Sequence, residues 1–153
     1  MIMPRNITMK LLFLFSLVTM LSACSSNNDG NITQWSVDEN CDLHHQTCTA
    51  ESGNAQVSLK ISPHPIPIAR PLGIEVQTEN LQIKKMELDI SGLNMYMGYN
   101  RVELKSTKPD RFVGTSMLAF CTNEKMLWQV TLMIHLADGS QIQIPYELET
   151  INR

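Results

Sequence analysis

Residues 126–136 read MLWQVTLMIHL. Large apolar side chains recur at every second position, at Met126, Trp128, Val130, Leu132 and Ile134. In an extended chain, alternate side chains project to opposite faces, so this spacing predicts a strand with one buried face. Leu127, Gln129, Thr131, Met133 and His135 lie on the other face.

The same period-two pattern recurs on both sides of this strand. QVSLKIS (56–62), LGIEVQTE (72–79), KMELDIS (85–91), RVELKS (101–106), RFVGTSMLAF (111–120) and QIQIPYELE (141–149) all alternate, with turn residues such as STKPDR and ADGS between them. The segment SPHPIPIARP (62–71) carries four prolines and predicts an extended, edge-type stretch that cannot pair regularly. Seven or eight short strands near ten-residue spacing, with no credible helix, predict an all-β fold: a single immunoglobulin-like antiparallel β-sandwich. The inward Trp128 suits that architecture. The cysteine spacing of an antibody domain is absent, so the likeness is one of architecture.

The N-terminus reads as a processing signal. Arg5 and Lys10 precede the apolar run LLFLFSLVTML (11–21), which is short for a membrane span, and LSAC (21–24) follows. A small-residue site ending in cysteine resembles the lipobox of bacterial lipoproteins. That resemblance implies cleavage before Cys24 and acylation of Cys24 with palmitate-type chains, several of which give stable anchoring. Ser25 and Ser26 follow the cysteine. The missing aspartate after Cys24 favours the outer membrane, facing the periplasm. The expected organisation is a signal peptide over 1–23, a lipidated cysteine and flexible tether over 24–40, and the sandwich over 41–153 with its core in 55–150.

Without Arg5 and Lys10 the chain has ten basic and fifteen acidic residues, a net charge of −5, with no basic cluster. That argues against a nucleic-acid partner. Cys41 and Cys48 enclose DLHHQT, and in an oxidising compartment they are the natural disulfide. Closing so short a loop is worth roughly 2.5 kcal/mol in chain entropy. Cys121 is then the odd thiol. His44 and His45 within CDLHHQTC lack the paired spacings of a zinc module.

The order P-L-x-I-x-V (71–76), M-x-M-G (95–98), F-x-G (112–114) and C-x4-M-x-W (121–128) resembles a group of small bacterial envelope lipoproteins. They are distantly similar to the YtkA-like and FixH-like periplasmic sandwiches. Some members of that wider set are associated with copper handling or cytochrome oxidase assembly. The resemblance implies a metallochaperone or oxidase assembly protein as partner. This chain has NMYMG where the most methionine-rich members carry denser clusters.

Two readings of the sulfur residues stay open. Met95 and Met97 stand two apart in GLNMYMGYN (92–100), so an extended chain presents both to one side. Cys121 and Met126 flank a four-residue loop, and a hairpin there sets them opposite each other. Four converging sulfurs make a soft set that selects Cu(I). Alternatively, methionine and free cysteine are ordinary core fillers. No nucleophile elbow, phosphate loop or carboxylate cluster is legible, so a non-enzyme is expected. The alternatives to a Cu(I) protein are a non-catalytic interaction module or a structural lipoprotein.

Overall fold

The computed structural model describes residues 31–98 and 100–152. The expected signal peptide and Cys24 lie outside the described residues. The fold is all-β, with nine strands among the described residues: β1 Ile32–Gln34, β2 Cys48–Ser52, β3 Ala55–Ser62, β4 Pro71–Glu79, β5 Ile83–Gly92, β6 Arg101–Lys108, β7 Arg111–Met117, β8 Lys125–Leu136 and β9 Gln141–Ile151.

The strands form one continuous sheet in the order β1-β9-β8-β5-β6-β7-β4-β3-β2. The all-β class expected from sequence is met, and the sheet differs from an immunoglobulin-like antiparallel sandwich in two respects. First, β6 belongs to both halves: Arg101 to Leu104 pair with β5, and from Lys105 onward it pairs with β7. The sheet therefore curls through β6 instead of dividing in two. At that corner Gly114 approaches Leu104 so closely that a Cβ would press on the leucine Cδ2. Second, β1 runs parallel to β9, Ile32 opposite Gln141, while the other pairs are antiparallel.

Alternation builds the core. Met126, Trp128, Val130, Leu132 and Ile134 of β8 are all buried, as the sequence predicts, and so are Leu72, Ile74 and Val76 of β4. Met86, Leu88 and Ile90 of β5 join Val57, Leu59 and Ile61 of β3 in the same apolar cluster. On the outer face of β8, Met133 is buried as well.

Ahead of residue 41, β1 and the buried Trp35 pack on the sheet: Trp35 N–H donates to Gln143 O at 2.9 Å, and Val37 bridges Ala50 of β2. Residues 32–37 thus run from one edge of the curled sheet to the other. Two terminal strands, β1 and β2, are consecutive in the chain, so this segment closes the seam between the edges. Beyond β1, strand β9 carries Pro145, which offers no N–H.

The Cys41–Cys48 disulfide forms, with its Cα atoms 5.6 Å apart, and Cys121 is free and buried. Between Ser62 of β3 and Pro71 of β4 the proline-rich segment forms no strand of its own, and Ile68 makes an isolated bridge to Leu118.

On the outer face the Arg111 guanidinium grips Glu75 with two bonds, Nε to Oε1 at 2.9 Å and Nη2 to Oε2 at 2.8 Å. Arg111, and then Gln77, hold the Glu75 carboxyl down from 4.5 to about 2. A depressed carboxylate stabilises the fold above its unfolded value and loses that contribution as pH falls through the folded one. The contribution is present above pH 4.5 and fades toward about pH 2. Both side chains are about a third exposed, so the effect is small. Glu75→Gln is expected to flatten the stability curve over that window, measured by urea midpoints against pH. An unchanged acid limb would show that the pair contributes nothing.

Candidate functional site

The sulfur residues gather at one end of the sheet. Strand β5 stops at Gly92, where a Cβ would run into the Met95 backbone carbonyl. Only glycine lets the chain fold back there. The returning loop is tied to the start of β8 by three bonds: Leu93 N–H to Leu127 O at 2.8 Å, Asn94 Nδ2 to Lys125 O at 2.9 Å, and Leu127 N–H to Asn94 Oδ1 at 3.1 Å. Gly98, at φ 78°, takes the left-handed conformation that releases the loop toward β6.

Residues 93–95 bend and 96–97 belong to no strand, so Met95 and Met97 do not follow the period-two rule expected of an extended stretch. Met95 reaches Cys121, whose thiol donates to its Sδ at 3.1 Å. Met97 lies over Gly92 and packs against the core. These two methionines have different surroundings.

The hairpin expected to set Cys121 opposite Met126 does not form. Strand β7 pairs with β4 and β6, whereas β8 pairs with β5 and β9, so residues 118–124 cross between the halves of the sheet. Asn123 brings the two sulfurs together by another route. Its backbone N–H donates to Cys121 Sγ at 3.4 Å, and its Nδ2 lies 4.0 Å from Met126 Sδ. The loop is held in turn by Asn152, whose N–H donates to Glu124 O at 2.8 Å and whose Nδ2 donates to Asn123 O. Met126 is fully buried, Cys121 is nearly so, and Met95 is 38% exposed. The result is a thiol with one thioether toward solvent and a second behind it, linked through Asn123.

His44 has a part that the sequence did not reveal. Its Nδ1 accepts from Ile66 N–H at 3.0 Å, which places the ring proton on Nε2, and Nε2 donates to Glu149 O at 2.6 Å. These partners are 22 and 105 residues away, beyond the reach of any spacing rule. The disulfide loop, the proline-rich segment and the end of β9 are thereby joined. Ala69 N–H donates to Leu118 O at 2.8 Å, three residues before Cys121. His45 bonds only its neighbour Asp42, at 2.7 Å, and His64 is exposed. His135, on the outer face of β8, bonds Glu87 at 2.9 Å.

Apolar side chains next to the sulfur residues in the chain are exposed, Tyr96 by 80% and Phe120 by 66%, and Leu93 and Leu127 are exposed as well. Among the described residues no three of His, Cys, Asp and Glu gather as a cation site. A separate shallow groove of about 560 Å³, lined by Glu75, Glu103, Lys105 and Gly114, marks where β6 parts from β7. No family model matches the chain, and no curated protein is similar to it.

Proposed function

We propose that this chain is a lipid-anchored protein of the bacterial cell envelope, held at the outer membrane through Cys24, that binds Cu(I) between Met95 and Cys121 and passes it on. The observation that carries the reading is the 3.1 Å approach of Cys121 Sγ to Met95 Sδ across 26 residues of sequence. Ordinary core packing accounts for Met126, which is fully buried, and for Met97, which is partly buried against the core. It accounts less well for a thioether that is partly open to solvent yet held on the only free thiol among the described residues.

The donor set suits a soft monovalent cation: thiolate and thioether ligands select Cu(I). Bound Cu(I) would supply an exchangeable soft centre. Cys121 is the anionic ligand, and the Asn123 N–H is placed to support charge on its sulfur. Met95 covers the solvent side and Met126 stands behind. Met97 serves the packing of the loop. The protein is read as a non-enzyme: Cys121 has Met95 and Asn123 as its bonded neighbours, and neither is a base. An envelope interaction module is the second reading, favoured by the exposed Tyr96 and Phe120.

The test is a Cu(I) titration of the chain lacking residues 1–24, without oxygen, using a reductant too weak to open the Cys41–Cys48 bridge. One Cu(I) per chain is expected, in preference to Zn(II). Methionine and leucine are close in volume, so either swap is expected to cost under about 1.5 kcal/mol of stability. Met95→Leu is expected to weaken Cu(I) binding in competition with a chelator, and Met97→Leu to leave it unchanged. Equal affinity of Met95→Leu and the parent would assign Met95 to packing.

A further inference from the structure

The run that carries Cys121 is fastened at both ends through one histidine. Residues 118–124 follow β7 and enter β8 at Lys125. At the start of the run, Leu118 is bridged to Ile68 and accepts from Ala69 N–H at 2.8 Å, so the proline-rich strap holds it. At its finish, Lys125 Nζ meets Glu149 Oε2 at 2.6 Å, and Leu127 pairs with Glu149 in the ladder. His44 joins these two supports: Nδ1 accepts from Ile66 N–H of the strap, and Nε2–H donates to Glu149 O. Ala69 holds a left-handed φ of 53°, which is unfavourable for a residue with a Cβ. The strap therefore depends on its fastenings.

What places His44 there is the disulfide loop. Inside it Asp42 caps a turn: His44 N–H donates to Asp42 Oδ1 at 2.8 Å, and the N–H groups of His45 and Gln46 donate to Asp42 O at 3.0 Å. Leu43 is buried and seats the loop, and the bridge closes it onto Cys48 at the start of β2. The two cysteines differ in access. Cys48 is buried, whereas Cys41 is partly exposed and lines a groove of about 260 Å³ with Asp38, Asn40, Gln46 and Thr49.

We infer that the Cys41–Cys48 bridge is an exchangeable latch on the Cys121 loop, opened from this groove by a dithiol reductant. A thiolate of the reductant attacks Cys41 Sγ, and a mixed disulfide forms as the bond to Cys48 breaks. Cys48 Sγ takes the electron pair and then a proton from water. The reductant's second thiol, deprotonated in its turn, attacks its own sulfur in the mixed disulfide. Cys41 leaves as a thiolate and regains a proton, and the reductant departs as a disulfide. Opening returns chain freedom to the loop and loosens the His44 clasp, so the strap and the end of β9 no longer hold residues 118–124 in common. Cys121, 5% exposed while the latch is closed, is then uncovered. The consequence for the metal rests on the reading of Cys121 as its ligand: Cu(I) exchanges slowly with the bridge closed and fast with it open.

The experiment follows N-ethylmaleimide labelling of Cys121 in the full chain held in detergent, read residue by residue by peptide mapping, with no metal added. Cys41→Ser with Cys48→Ala stands in for the opened bridge, and His44→Leu removes the clasp while the bridge remains. Val76→Cys, buried in β4, reports opening of the whole fold in each background. Both variants are expected to speed labelling of Cys121 about tenfold, the size of one or two lost hydrogen bonds acting on a local opening, with little change at position 76. In the parent, a limiting dose of reduced glutathione, quenched with acid, is expected to leave its adduct on Cys41. Unchanged labelling of Cys121 in either variant overturns the latch, because the bridge acts through His44. Equal acceleration at positions 121 and 76 overturns it too, since that marks a loss of global stability alone. An adduct on Cys48, or none, overturns the route through the groove. The Cu(I) titration decides the metal separately: a chain that binds no Cu(I) but passes the labelling test keeps its latch, and one that binds Cu(I) with labelling unchanged keeps its metal and loses the latch.

Discussion

Serine in place of Cys121 is expected to remove high-affinity Cu(I) uptake, with a loss larger than the roughly 10–100-fold that follows from removing an outer-shell partner of a metal ligand. The substitution deletes the one ligand that carries charge and puts a hard oxygen where a soft sulfur stood. The thioethers of Met95 and Met126 remain but are neutral. Because the thiol must lose its proton to bind, the parent affinity is expected to fall as pH is lowered, and Cys121→Ser to lose that slope. A merely structural role for Cys121 would not produce this change. Cys121 sits in the crossing loop, held by Asn123 and Met95 rather than within a strand, so the urea midpoint is expected to move little. The measurement is competition against a Cu(I) chelator at several pH values. Equal affinity and equal slope in the two proteins would take Cys121 out of the site.

The largest effect on stability is expected at Trp128. Its side chain is 2% exposed within the core, and its Nε1–H donates to Thr150 Oγ1 at 2.9 Å. Trp128→Ala is expected to cost about 3–5 kcal/mol, through lost burial and the cavity left behind. Against a typical total of roughly 5–15 kcal/mol, that brings the fold near its limit. Trp128→Phe separates the two contributions. It retains much of the ring but leaves the buried Thr150 hydroxyl without its partner, at about 1–3 kcal/mol. Urea denaturation followed by circular dichroism checks both, and a loss below about 1 kcal/mol for Trp128→Ala would contradict the packing.

What could be read from the residues depended on the range of the interaction. Strand positions were legible because burial on one face imposes a period of two, and the face of β8 that carries Trp128 followed it without exception. The Cys41–Cys48 bridge was legible because its partners are close in sequence. Pairing between distant strands was not. Turn residues between Cys121 and Met126 suggest a hairpin, yet local composition cannot tell a hairpin from a crossing, and here β5 and β9 occupy both sides of β8. β1 and β2 escaped notice because ITQ and CTAES show little apolar alternation. Met117, at the end of the alternating run RFVGTSMLAF, is exposed, since β7 ends there. At the candidate site the residue types were visible, but the separation of Met95 from Met97 depends on the fold-back at Gly92, which period two does not foresee.

The seam closed by residues 32–37 bears on how densely such molecules can be crowded. Proteins confined to a two-dimensional surface meet side by side far more often than in solution, and an open strand edge invites them to join backbone to backbone. Here one edge is the three-residue β1, the next strand inward presents Pro145, and β2 at the opposite edge is five residues long and already bridged by Val37. Neighbours in a packed layer therefore find little backbone to extend. If Cys24 anchors the chain as proposed, a population of these molecules can stand shoulder to shoulder without polymerising.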